Sequence, residues 1–160
     1  MRIKHSLKTG LSFGLTSGII TTLGLIIGLH SGTHSRNVII GGILTIAIAD
    51  AFSDGIGIHV SEESKNRHTP RETWEATTSA FAAKFFSAIL FILPFLFFSL
   101  TLSIIVSIVW GLALLGIFSY YIAREQQGAS WKVIAEHVLI AMVVILITHY
   151  TGEWVSRVFA

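Results

Sequence analysis

An all-α integral membrane protein with five transmembrane helices is the fold class this sequence predicts, on three observations. Of its 160 residues, 52% are hydrophobic and only 12% charged, an apolar share above that of ordinary soluble domains. The apolar residues fall in five runs, and each can cross a hydrocarbon core of about 30 Å at roughly 20 residues per helix. Short polar segments separate the runs and hold most of the lysine and arginine. The runs fill nearly the whole chain, so residues 1–160 read as a single membrane domain with no soluble domain beside it.

The first run, residues 10–30 (GLSFGLTSGIITTLGLIIGLH), follows the basic segment MRIKHSLKTG. No small-residue cleavage pattern ends it, so it reads as a retained helix and not as a signal peptide. Residues 37–60 form the second helix. The third, residues 73–98, contains Lys84 and Pro94, and residues 100–123 and 131–158 supply the last two. Before helix three, Thr69-Pro70-Arg71-Glu72 spells a capping box with proline at the first helical position. In helix one, Gly10, Gly14 and Gly18, then Gly24 and Gly28, recur at the spacing that lines one face with small residues. Close packing follows, either on helix two, with its Gly41, Gly42, Gly55 and Gly57, or along a homodimer seam.

The formal net charge is +2 and the pI near 9.2, yet the basic residues form no stripe of the kind that binds nucleic acid. They read as topology signals. Arg2, Lys4, Lys8, Lys65, Arg67, Arg71, Arg124 and Lys132 fall on one side of a five-span alternation, against Arg36 and Arg157 on the other. The N-terminus is therefore expected in the cytoplasm and the C-terminus outside. Cysteine is absent, which removes disulfides and thiolate ligands. No organelle signal is evident, so the expected location is the plasma membrane of a prokaryotic cell.

Asp50 and Asp54 lie four residues apart inside an otherwise apolar run and project from one helix face. An ionised carboxylate in hydrocarbon is costly, and such residues mark ion or proton pathways. Two on one face can share a divalent cation or a proton. The alternative is a static ion pair with Lys84 as structural counter-ion. Glu62 and Glu63, after helix two, offer a weaker cation site in a solvated loop. On helix five, Glu136 with His137, and His149 with Glu153, offer a second set of ligands for Fe, Mn or Zn; the competing reading of His149 and Glu153 is an interfacial pair, with Glu153 also meeting Arg157. Thr16, Ser17, Thr21 and Thr22 can add hydroxyl contacts, although such groups mostly bond their own helix backbone. His68, Glu72 and Glu75 form a further possible ligand face, unless Glu72 closes the cap.

The residues FGLTSGIITTLGLIIGL from Phe13 and VIIGGILTIAIADAFSDGIGIHVS from Val38 resemble the first two helices of the vacuolar iron transporter family, with patterns such as FGLNDGLVTTLALVAG and VLIAGLAGLVAGALSMAAGEYVS. ILPFLFF around Pro94 is similar to the family's proline-containing third helix, and GASWKVIAEHVLIAMVVILITHYTGEWVSR to its last loop and helix. The short connector between helices two and three resembles that of the nodulin-like members, which lack the long cytoplasmic metal-binding insertion. The resemblance implies a five-helix protomer, usually dimeric, that exchanges ferrous iron or manganese for protons along helices one and two. Departures from the pattern fall on the site itself. The family's first-helix aspartate falls on Ser17, its second-helix methionine on Asp54, and its glutamate and tyrosine on Ile58 and His59.

The expected function is a proton-coupled divalent-cation transporter of the iron and manganese class, with Asp50, Asp54 and Ser17 at its centre. The metal is cargo and no cofactor is expected; partners are the bilayer, the cations and protons, and a second copy of the chain. With carboxylates dominant and the methionine gone, harder cations such as Mn or Mg gain over Fe. The alternative is a non-transporting scaffold or regulatory subunit that keeps the fold around an Asp–Lys pair. No nucleophile and base pair or closed metal cluster points to an enzyme.

Overall fold

The computed structural model describes residues 5–65, 69–125 and 130–159; Arg2, Lys4, Arg67 and His68 lie outside the described residues. Among these, the regular elements are α1 (His5–Thr33), α2 (Arg36–Ser64), α3 (Pro70–Leu90), α4 (Ile92–Phe97), α5 (Leu100–Glu125) and α6 (Ser130–Phe159). They give five helices long and apolar enough to cross a membrane, with α3 and α4 together forming the third. The chain has the make-up of an integral membrane protein. The helices outrun the apolar stretches by several residues, because hydropathy marks the hydrocarbon slab while backbone hydrogen bonds continue into the polar layer.

The third span breaks at Phe91, which was expected to continue as helix. Proline has no N–H to donate to the carbonyl four residues back, so Pro94 leaves the Leu90 carbonyl without its helical partner. Upstream of it, the Phe91 N–H turns to the Ala88 carbonyl at 3.0 Å. Downstream, the Pro94 carbonyl accepts from the Phe98 N–H at 3.0 Å and from the Ser103 hydroxyl at 2.8 Å. Arg36 donates to the Phe98 carbonyl at 2.7 Å, tying the start of α2 to this corner. At the other end of the third span the expected capping box is present. Thr69 accepts from the Glu72 N–H at 3.3 Å, and the Glu72 carboxylate accepts from the Thr69 N–H at 2.9 Å.

Helix α1 is the spine of the bundle and packs on α2, α3, α5 and α6. Its Ile19, Leu23, Ile26 and Ile27 meet Ile39, Ile43, Phe91, Phe95 and Leu115 in the main core. The two glycine sets of α1 both pack within the protomer, but not on α2. Gly10, Gly14 and Gly18 lie against α3, where an added Cβ would meet backbone or side-chain atoms of Ala76, Ser79, Ala80, Ala83 and Ser87. Gly24, Gly28 and Gly32 lie against Val144, Thr148 and Gly152 of α6. Close backbone approach needs small residues on both helices. α3 supplies them at three- and four-residue spacing, whereas α2 turns the bulky Ile39 and Ile43 inward.

One face of α2 is left outside. Gly41, Thr45, Ala49, Ser53 and Gly57, spaced by four residues, are all exposed, and an added Cβ at Gly41 or Gly57 would meet nothing within 4 Å.

Candidate functional site: a lysine seated between two aspartates

Four intramembrane residues converge from three helices. α1 contributes Ser17, α2 contributes Asp50 and Asp54, and α3 contributes Lys84. The approach depends on Gly18, whose added Cβ would lie 3.3 Å from both the Cα and the carbonyl oxygen of Lys84. At that separation the short side chain of Ser17 reaches the ammonium. The i, i+4 spacing on α2 turns both carboxylates to the same side.

Lys84 Nζ donates to Asp50 Oδ2 at 2.6 Å, Asp54 Oδ2 at 2.6 Å and Ser17 Oγ at 2.7 Å. An ammonium has three protons and no acceptor, so each proton meets one oxygen. The Ser17 hydroxyl donates its own hydrogen bond to Asp54 Oδ2 at 2.7 Å. The Lys84 side chain is 2% exposed, that of Asp54 18% and that of Asp50 32%. The cluster is closed around the lysine and opens at Asp50. With all three groups ionised, two carboxylates and one ammonium leave one negative charge uncompensated. The structure thus joins Ser17, Asp50 and Asp54 to Lys84.

The remaining candidates lie elsewhere. Glu62 is eight residues beyond Asp54, about 12 Å along the helix; it is 3% exposed and bonded to Lys65 at 2.6 Å. Glu63 beside it is exposed. Glu72 serves the cap, and Glu75 bonds Ser6 at 3.2 Å and Arg71 at 3.3 Å. Thr21 bonds back to the Ser17 carbonyl at 2.9 Å.

On α6, His149 and Glu153 pair at 3.4 Å, with Arg157 on the same carboxylate at 2.9 Å. His149 Nδ1 also meets Ser31 Oγ of α1 at 2.6 Å, so the pair is part of a side-chain link between α1 and α6. Glu136 is exposed and lies thirteen residues away, about 20 Å along the helix, and therefore does not share a site with them. Its neighbour His137 meets Ser119 of α5 at 2.8 Å. Two histidines not singled out in the sequence, His30 and His34, lie with tilted rings 5.1 Å apart at this end of α1. Their i, i+4 spacing was the available signal. Among the described residues, no three His, Asp or Glu side chains are grouped so as to hold one metal ion.

No curated protein matches the chain. A family model does, that of the VIT family, over residues 11–73. The matched stretch contains Ser17, Asp50 and Asp54 and stops short of Lys84. The match covers 63 of the 160 residues, most of α1, all of α2 and the start of α3, so this part of the chain is similar to the VIT family, whose members are generally membrane metal transporters.

Proposed function

We propose that the chain is a proton-coupled transporter of divalent metal cations of the iron and manganese class, with Asp50 and Asp54 as the groups that take cation and proton. The observation that carries this reading is the surplus acid. A static intramembrane ion pair needs one carboxylate for one ammonium. Here Lys84 holds two, and Asp50 is the more exposed of them. A second carboxylate inside hydrocarbon is costly unless it has a partner that comes and goes. The three converging oxygens, with no sulfur among them, favour hard cations such as Mn²⁺ or Mg²⁺ over softer ones. Alternating exposure of the α1–α2–α3 junction supplies the movement.

In this reading the N-terminus is cytoplasmic and the membrane is the plasma membrane of a prokaryotic cell. The working unit is a homodimer joined along the exposed Gly41–Thr45–Ala49–Ser53–Gly57 stripe of α2. Such small-residue faces let transmembrane helices approach closely. Gly57→Trp adds bulk where the protomer has open space, so it is expected to leave the protomer folded and shift the species in mild detergent from dimer to monomer. Light scattering coupled to size exclusion measures it. A monomeric wild type, or a dimer untouched by the substitution, removes the stripe as the seam.

The transport reading is tested in proteoliposomes carrying an internal pH dye, challenged with Fe, Mn, Co, Zn and Mg. Wild type is expected to couple metal uptake to proton movement, and Asp50→Asn/Asp54→Asn to lose at least about 90% of it, since each lost tenfold corresponds to only 1.4 kcal/mol. One observation favours a second reading, a non-transporting scaffold: all three Lys84 protons are already satisfied within the protomer. Absence of flux for every metal, from a wild type that is folded and inserted, selects the scaffold.

A further inference from the structure

Resting on the transporter reading of Asp50 and Asp54, we propose that Lys84 is a tethered occupant of the cation seat: its ammonium fills the position of the cargo ion between loads, and it excludes monovalent cations from that position. The three oxygens point at a common centre. Asp50 and Asp54 use the same atom, Oδ2, and Ser17 adds its Oγ, all at 2.6–2.7 Å from Nζ. Carboxylates one turn apart repel each other, and they turn their oxygens to one point only around a positive charge. The spacing is just above the oxygen distances of about 2.3–2.6 Å at Ca²⁺ and longer than the roughly 2.0–2.1 Å at Mg²⁺, so a divalent ion draws the oxygens inward. The ammonium therefore stands where a small cation would be coordinated.

The consequence is selective competition. A tethered group acts at an effective concentration of mM or more, and it brings one positive charge. Sodium or potassium brings no more charge than the group it must displace and gains nothing by displacing it. A divalent ion brings twice the charge to the two carboxylates and can win the seat. The lysine stem carries the head group on four flexible carbons, so the ammonium stays attached to α3 when a competitor takes its place. Asp50, 32% exposed, marks the open side from which the competitor arrives. Lys84 is in this sense a specificity-determining residue that a search for acidic ligands would pass over.

The test is metal-dependent thermal stabilisation of the purified full chain in detergent, with Mn²⁺, Mg²⁺, Na⁺ and K⁺ as probes, since an ion that binds the folded state raises its melting temperature. Lys84→Met is expected to lower the half-saturating Mn²⁺ concentration about tenfold or more, within the usual range of coupling between two ligands, and to make Na⁺ or K⁺ stabilising where they are inert on wild type. Lys84→Met/Asp50→Asn/Asp54→Asn, which removes every charge in the seat, is expected to respond to none. If Lys84→Met cannot be purified alone, its recovery when Mn²⁺ is present throughout supports the proposal. Failure to recover it with Mn²⁺, while the triple substitution folds, overturns it. Unchanged or weaker ion sensitivity in a folded Lys84→Met also overturns it, even if wild type transports. Absent flux with the expected gain in ion binding would sink the transporter reading instead, and with it the role of the seat in transport.

Discussion

In metal-free buffer, Lys84→Ala is expected to destabilise the bundle by about 3–5 kcal/mol, the cost of removing one partner from a buried ion pair. The loss has two parts. The substitution takes away all three hydrogen bonds of the ammonium at 2.6–2.7 Å. It also leaves two carboxylates one turn apart with no positive charge between them. Asp50→Asn is expected to cost less, because Lys84 keeps Asp54 and Ser17, and the amide oxygen can still accept. Asp54→Asn should fall between the two, since Asp54 accepts from both Lys84 and Ser17 and is the more buried acid. Unfolding in mixed detergent micelles gives the order directly. A Lys84→Ala loss below about 1 kcal/mol, the range of exposed pairs, would mean that water screens the cluster.

Gly14→Val is expected to separate α1 from α3, at a cost of about 3 kcal/mol or more, the upper range of overpacking. An added Cβ at this position runs into the Ala80 carbonyl and lies 2.9 Å from the Ala83 Cβ. The Ala80 carbonyl is backbone and cannot rotate away as a side chain can, so the helices must move apart. That movement also carries Ser17, three residues along α1, away from Lys84. The substitution should therefore damage both stability and the charge cluster. Gly116→Ala is the control, since an added Cβ there comes no nearer than 4.0 Å to Ile134 Cγ2 and lies off the α2 stripe, and its effect should stay within about 1 kcal/mol, the helix-propensity gap between glycine and alanine. The yield of monodisperse protein and the unfolding midpoint measure both. Equal effects at the two positions would show that crowding at the α1–α3 contact is not what matters.

The charge cluster was legible in the sequence because helical spacing is local. Asp50 and Asp54 had to share a face once their helix was recognised, and Lys84 was the one basic residue inside an apolar run. The packing partners of α1 were less legible. The glycines announced close approach but not to what, and the answer depended on the small residues of α3 and the bulky isoleucines of α2. The link from Ser31 to His149 spans 118 positions, a separation no periodicity reports. The break at Phe91 could be anticipated only as some effect of Pro94. Its place was decided by which carbonyls found other donors, among them the Ser103 hydroxyl. The capping box at Thr69 was fully legible, since all its parts lie within four residues.

Helix α6 has only Ala141, Ile145 and Gly152 buried, and its contact with α1 sets Gly24, Gly28 and Gly32 against Val144, Thr148 and Gly152. Thirty residues of helix span about 45 Å, well beyond a hydrocarbon core of about 30 Å. A helix of that length spans with its ends in the polar layers or with some tilt, and packing against its neighbours sets the angle. The Ser31–His149 link and the close α1–α6 approach therefore tie the tilt of α6 to that of α1, the same helix that supplies Ser17 to the charge cluster.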